Sequence, residues 1–458
     1  MSMQNPASQE YQTGTDPEAL SASSYRAVYK SNVSTAGLSS VVEVRIPNVQ
    51  NAILDCSASY LECSVAATIT GTGLAADSVR MSPFGIASAI KQISVSCGNV
   101  CVQRFNQFAE LYALLRSSNS SVSSFSASSL TEGTAGGNAT QNGMLEGTKL
   151  SVVPNGGATA AVLSQLNFSL SIPGLLSGSR SIPVCFLNDS LRVEIIFKDD
   201  VRSFLYTSAG SGVTVISGGS VTFSQIGYNA RMITLSPYGM QQIKLASGMS
   251  EKRPLSWSDI SYTTDTSTVD ADTLNSATET TRVVKIGGLK PRSATAYYST
   301  GFPGTVSGNC IMSAPCGSGA FSTQLRASGA LFPPGQGLVG TAQNVQGAQM
   351  ASYQFDNPQL TNTYSLNACR QDRAQSLRVQ AAAAAFDSEP TPRCVSGYPL
   401  AAMADNRGID VSNSQVELHL RYIQGASVTA VAPIASFFAM RYNVIYSIGS
   451  DGSFHVSE

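Results

Sequence analysis

Apolar and polar residues alternate one by one in "VVEVRI" (41–46). Val42, Val44 and Ile46 fall on one side, Glu43 and Arg45 on the other. A period of two carried by β-branched residues predicts a strand with one buried face. "YLECSVAATI" (60–69) repeats the pattern through Leu61, Cys63, Val65, Ala67 and Ile69. "AIKQISV" (89–95) and "VCVQRF" (100–105) flank Gly98-Asn99, and together they predict a hairpin. The period then changes. In "FNQFAELYALLRS" (105–117), Phe105, Phe108, Leu111, Tyr112 and Leu115 recur at three- and four-residue steps, which predicts a helix with one apolar stripe. Residues 118–160 are rich in Ser, Gly and Asn and predict a long loop. Strands are expected again at "LNFSLSI" (166–172), "IPVCFL" (182–187), "LRVEIIF" (191–197) and a closing "VTFSQIGYNARMITL" (221–235).

The second half restates this order. "TRVVKI" (281–286) resembles "VVEVRI", and a helical segment, "LNACRQDRAQSLRVQAAAAAF" (366–386), takes the place of the first helix. "GYPLAAMA" (397–404) and "SQVELHLRYI" (414–423) parallel the earlier strand pair, with Pro399 answering Pro183 and Val416-Glu417-Leu418 answering Val193-Glu194-Ile195. The closing strands match in wording. At one fixed offset Phe223 falls on Phe437, Ile226 on Met440, Tyr228 on Tyr442, Asn229 on Asn443 and Ser236 on Ser450. In the last strand Ile434, Ser436, Phe438, Met440, Tyr442, Val444, Tyr446 and Ile448 share one face, and Asn443 points the other way.

Two similar β-rich domains are the economical reading. Residues 1–40 are polar without sustained periodicity and are expected to be an arm ordered only by a neighbour. A first domain is expected over 41–245 and a second over 246–458. The stretch between them (236–258) holds the only Trp, Trp257, read as a packing anchor between the domains. The expected class is all-β: two tandem eight-stranded sandwiches. A short helix inserted into each favours a jelly roll over an immunoglobulin type.

Composition changes what such a fold would do. Of 458 residues, 12% are charged, about half the usual share of roughly 25%. Ser, Thr, Ala, Gly and Val fill the gap, giving a neutral, hydroxyl-rich surface suited to being covered by other protein. The net charge is −1 and no run of five basic residues occurs, so direct sequence-specific nucleic-acid binding is not expected. The N-terminus shows no charged-then-apolar signal pattern and no 18-residue apolar run exists, so neither a signal peptide nor a transmembrane helix is expected. The nine cysteines are odd in number and lack a C-x-x-C pair. They read as buried free thiols in a reducing compartment, with a disulfide at either of the two close pairs, Cys97/Cys101 or Cys310/Cys316, as the alternative.

The duplicated closing strands ("IGYNARMITL", "MRYNVIYSIG"), the paired "RVEIIF" and "VELHLRY" strands, the mid-domain helices and the "DGS" (451–453) tail carry a resemblance. The chain resembles the double jelly-roll major capsid proteins of the lineage shared by adenovirus hexons and tailless icosahedral DNA phages. The likeness is architectural and spans roughly 41–458. It implies a structural, non-enzymatic protein forming homotrimers, whose six sandwiches make a pseudo-hexagonal capsomer that tiles an icosahedral shell. It also implies neighbouring capsomers and minor capsid or penton proteins as partners, and an N-terminal arm on the inner face that would meet an internal membrane. The expected location is the virion capsid, after synthesis in the host cytoplasm or nucleus. Loops 118–160 and 303–348 would project from the sandwich ends. No catalytic, cofactor or metal residue transfers.

Motif by motif, the residues agree. "GQGLVG" (335–340) spells a dinucleotide fingerprint but follows "LFPP" and precedes no apolar helix, so it reads as a loop. Ser88-x-x-Lys91 sits in an expected strand without a K-T-G partner. Gly147-Thr148-Lys149 lacks the order a P-loop needs. His419 alternates with Glu417 and Arg421 on a polar strand face and reads as solvated or inter-domain. His419 and His455, 36 residues apart, do not supply the clustered histidines that a cupin-type jelly roll uses for metal. Asp265, Asp270 and Asp272 lack the EF-hand spacing. The alanines at 381–385 read as close-packing helix. The competing reading is a carbohydrate-binding or adhesive β-sandwich. It predicts aromatic platforms on loops, whereas most Tyr and Phe lie in strand patterns. A hydrolase would need clustered acids or histidines, which the sequence does not show.

Overall fold

The structure, a computed structural model, describes residues 21–72, 74, 79–82, 84–119, 129–134, 150, 152–155, 160–176, 181–207, 215–247, 249–269, 280–286, 294–303, 337–345, 348–354, 395–399, 416–423 and 434–457. The first half runs through β1 (Ser21–Lys30), β2 (Thr35–Ala36), β3 (Val41–Ile46), β4 (Ala52–Thr72), β5 (Val79–Met81), β6 (Ile90–Cys97) and β7 (Val100–Phe105). Helices α1 (Phe108–Asn119) and α2 (Ser129–Glu132) follow. Then come β8 (Val152–Asn155), β9 (Ala160–Leu170), β10 (Ser181–Ile182), β11 (Leu191–Phe197), β12 (Leu205–Thr207) and β13 (Val215–Leu235).

One sheet has the order β1-β13-β4-β9-β8, with β10 on β4 and β2 on β13. A second has the order β3-β11-β6-β7, and β5 pairs with β12 in a separate two-stranded sheet. The alternation in sequence explains their contact. Val42, Val44 and Ile46 of β3 are fully buried, as are Leu191, Val193 and Ile195 of β11. Val44 lies opposite Val193, which lies opposite Val95 of β6, so the apolar faces stack in one layer. Across the sandwich, Phe197 of β11 and Phe223 of β13 stack with centroids 3.8 Å apart and planes 6° apart. Each such buried side chain contributes about 1.5–3 kcal/mol.

Behind β13 the chain turns at once into helix α3 (Pro237–Ser247). Ser236 supplies the cap, its Oγ accepting from the Gly239 N–H at 2.9 Å, and Pro237 takes the first helical position, where no N–H is needed. The second half then runs through β14 (Leu255–Val269), β15 (Thr280–Ile286), β16 (Ala294–Pro303), β17 (Gly337–Val345), β18 (Ala348–Gln354), β19 (Val395–Pro399), β20 (Val416–Ile423), β21 (Ile434–Ile448) and β22 (Phe454–Ser457). Its sheets have the orders β14-β21-β16-β19, with β22 on β21, and β15-β20-β17-β18. The central strands repeat the order of the first half. β13 and β21 each lie between the opening strand of their half (β1, β14) and a third element (β4, β16). β11 and β20 hold the same place in the smaller sheets. Phe223 and Phe437 are both fully buried, as are Ile226 and Met440 within 2%.

Several expectations are corrected. Residues 21–36, read as part of an arm, pair inside this chain: β1 runs along β13 from Ser21 opposite Leu235 to Lys30 opposite Gly227, and β2 also joins β13. β1 is an edge strand with little to bury on either face, so its alternation fades. "IPVCFL" is strand only to Ile182. Val184–Phe186 then form a 3-10 turn, because Pro183 cannot donate to a ladder. Helix α1 begins at Phe108, and Phe105 ends β7. The 118–160 stretch contains α2 and β8, and 337–345 of the expected 303–348 loop is β17. In β21, Val444, Tyr446 and Ile448 are buried on the expected face, but Phe437, Ala439 and Arg441 of the other face are buried too. The helix expected at 366–386 lies outside the described residues, as do 400–404 of "GYPLAAMA". No described helix is long and apolar enough to cross a membrane.

Candidate functional site at the junction of the sandwiches

Among the described residues, those with a chemical signature do not converge. Ser88 lies in a 3-10 turn (Gly85–Ala89), not the expected strand, and its buried Oγ is 2.8 Å from Ser82 Oγ. Lys91 is exposed on β6. Gly337–Gly340 of "GQGLVG" open a strand, where a loop is expected, and Gly340 pairs with Arg421. A strand after the glycines leaves no helix N-terminus to receive a pyrophosphate. His419 on β20 lies opposite Val283 and Ala342. Asp265 lies on β14, and Asp270 and Asp272 lie outside the described residues. Among the described residues no three His, Cys, Asp or Glu side chains could hold a metal ion. Cys56, Cys63, Cys97, Cys101 and Cys185 are free thiols. Burial pushes Cys63 up to about 12 and Cys97 up to about 11. Cys101 is exposed and Cys185 half-buried, against the expectation of buried thiols, because Cys101 sits in the ladder next to the hairpin turn. Cys310, Cys316, Cys369 and Cys394 lie outside the described residues.

What the described residues do build is a seam between the two sandwiches. Gln103 on β7 is 4% exposed; its Oε1 accepts from the Leu175 N–H at 3.1 Å, and its Nε2 donates to Ser261 Oγ on β14 at 3.2 Å. One buried amide thus satisfies a loop of the first half and the opening strand of the second. Gly174, at φ +85°, lies so close to this amide that a Cβ there would collide with it.

A second contact forms at the chain's end. The turn after β21 returns to the first half. There the Asn188 N–H donates to Gly452 O at 3.0 Å, and Asn188 Nδ2 donates to Asp451 O. Gly452 has φ +80° and packs against Asn188 and Phe186. Asp451 Oδ1 holds the turn by accepting from the Ser453 N–H at 3.1 Å and from Ser453 Oγ at 2.6 Å, which keeps its carboxyl below the usual range. Helix α3 reaches the same segment: Lys244 Nζ sits 5.8 Å from the Phe186 ring centroid, and Met240 Sδ lies 3.8 Å from Cys185 Sγ. Linker helix, 3-10 turn and C-terminal turn therefore meet at residues 185–188.

Trp257, 2% exposed, lies directly opposite Tyr446 and meets the Phe454 ring edge-on at 6.0 Å. It anchors the base of the second sandwich. The buried apolar side chains form one contiguous cluster from the first sandwich through Leu255, Trp257 and Tyr446. Of these residues only Trp257 stands out in the sequence, and its ring partners Tyr446 and Phe454 lie in the second sandwich, not across the seam. Gln103 leaves a faint signal: it shares parity with buried Phe105, where an apolar residue is expected.

Solved structures share this arrangement. A chain of the Sputnik virophage superposes with a TM-score of 0.61 at 12% identity, covering 96% of this protein and 89% of that chain. The Faustovirus major capsid protein gives 0.57 at 10% identity over 92% of this protein and 90% of its own chain. The mavirus major capsid protein gives 0.54 at 10% identity over 94% and 90%. The chain is a double jelly roll. No protein-family model and no curated protein matches it. The expected double jelly-roll class is met, but the strand count differs from eight per roll: the first half forms sheets of seven, four and two strands, and the described residues of the second half form sheets of five and four.

Proposed function

We propose that the protein is a viral major capsid protein with a structural, non-enzymatic role, resident in the virion shell. The observation that carries this reading is the repeated strand order, β1-β13-β4 with β3-β11-β6-β7 and β14-β21-β16 with β15-β20-β17-β18, within one chain. An icosahedral shell needs most of its tiles to be nearly six-fold. Two like rolls per chain and three chains per tile supply six like sides, and closed cyclic symmetry buries each chain against the next. Low charge fits large permanent contacts, since charged residues are depleted from interface cores. The fold shared with the Faustovirus and mavirus major capsid proteins points the same way.

On this reading the first roll covers 41–245 together with β1 and β2, and the second covers 246–458. The capsomer is a homotrimer that contacts neighbouring capsomers, with minor capsid or penton proteins at positions a six-fold tile does not fit. The N-terminal segment faces inward, where it would meet an internal membrane. Light scattering on the purified protein tests the reading. A stable mass three times the 47.9 kDa chain supports it; a stable monomer at all concentrations contradicts it.

A further inference from the structure

A cleft of about 370 Å³ opens on the outer face of the seven-stranded sheet. Tyr60, Glu62 and Ser64 of β4, Thr131 of α2, Asn167 and Ser169 of β9, and Gln225 of β13 supply its polar lining. Leu61 and Val65, of the opposite parity on β4, go to the core, while buried Cys63 and Phe168 also border the cleft.

Three features mark the cleft as built. Gln225 has φ +52°, and the register of β13 against β4 slips between Ser224 and Gly227. A left-handed non-glycine residue at a bulge is strained, and bulges recur where a side chain must be re-aimed. Next, Ser64 is 1% exposed, yet its Oγ lies 2.6 Å from Asn167 Oδ1 and 3.0 Å from Gln225 Oε1. A hydroxyl has one proton and cannot donate to two carbonyls. One amide must therefore turn and donate its N–H to Oγ. Whichever turns, the pair presents one amide NH₂ and one amide oxygen to the cleft. Third, half-buried Glu62 is held by Asn229, whose Nδ2 donates to Oε2 at 3.3 Å.

Donors and acceptors thus alternate around a small basin with the Tyr60 ring in its wall. A sugar hydroxyl both donates and accepts, so this lining suits vicinal hydroxyls. Among the described residues that line it, Glu62 alone is charged. The nearby cation, Arg26, lies 5.7 Å from the Tyr60 ring centroid and donates to Asn229 Oδ1 at 3.1 Å and to Ala58 O at 3.2 Å. That charge balance disfavours phosphate and acidic sugars. We propose that the cleft binds a neutral saccharide. The proposal rests on this cleft alone and does not depend on shell assembly.

Saturation-transfer NMR on the full chain with glucose, galactose, mannose and N-acetylglucosamine tests it, with N-acetylneuraminic acid as the acidic control. Transfer to at least one neutral sugar is expected, weakened at least about tenfold by Gln225→Gly and by Asn167→Ala. Gln225→Gly relieves the left-handed strain and should not lower thermal stability. If it fails to fold, Asn167→Ala, at an exposed position, carries the test. No transfer to any neutral sugar, transfer unchanged in the variants, or equal transfer to the acidic control would overturn the proposal.

Discussion

Gln103 and Ser261 meet at 3.2 Å across the seam between the rolls, and both are nearly fully buried, at 4% and 3% exposed. The same amide also accepts from the Leu175 N–H. Replacing Gln103 with Ala strands a buried backbone donor and leaves Ser261 without its donor. Gln103→Ala should cost about 1–3 kcal/mol in denaturant unfolding. The double variant with Ser261→Ala should cost less than the two single losses summed, because the pair shares one bond. Additive losses would show that the bond does not couple the rolls.

Trp257 is the only Trp in the chain. Its emission therefore reports on the base of the second roll alone. Fluorescence and far-ultraviolet circular dichroism should give coincident unfolding curves in the native protein, since the apolar cluster is continuous across the seam. In Gln103→Ala the fluorescence transition should separate from the other. Trp257→Ala, which empties a buried aromatic site, should cost about 3–5 kcal/mol.

Gly452→Ala tests the C-terminal contact. At φ +80° a Cβ there would also lie 2.9 Å from Phe186 O. The variant should lose about 1–3 kcal/mol and speed amide exchange in β22. Acid should act on the same turn. The Asp451 carboxyl is held below its ordinary 3.8, chiefly by the Ser453 hydroxyl. A lowered folded value means the support is complete above 3.8 and is lost as pH falls through that lower value. Exchange in β22 should therefore rise only in that acid range.

The thiols give a pH test of opposite sign. Burial raises Cys63 from 9.0 to about 12, and Cys56 is raised further, also chiefly by burial. The folded state resists forming these thiolates. Their stabilising contribution is complete below 9.0 and is lost as pH climbs from 9.0 through about 12. Stability should fall by about 1.4 kcal/mol per pH unit per thiol in that window. At neutral pH a thiol reagent should label exposed Cys101 and spare Cys56 and Cys63 until unfolding.

The sequence made the repeated layers legible because burial there is one-sided. Val42, Val44 and Ile46 alternate with exposed or half-buried Glu43 and Arg45, and the Gly98-Asn99 turn carries the left-handed glycine a tight hairpin needs. The matched Phe223 and Phe437 mark two strands at the same place in two like sheets. Where burial is not one-sided the signal fails. β1 is an edge strand exposed along most of its length, so it reads as an arm. Val184–Phe186 form an apolar run whose period cannot separate a strand from a 3-10 turn. The seam was less visible still. Gln103, Asn188 and Gly452 act through partners distant in the chain, and no local period encodes such contacts.

Electron microscopy of the purified assembly tests the central claim most directly. A trimer of double jelly rolls should project as a closed tile with six similar lobes. Each chain should supply two adjacent lobes joined at the Gln103–Ser261 seam. Particles with three widely separated lobes, or single chains whose two rolls take variable relative positions, would contradict it.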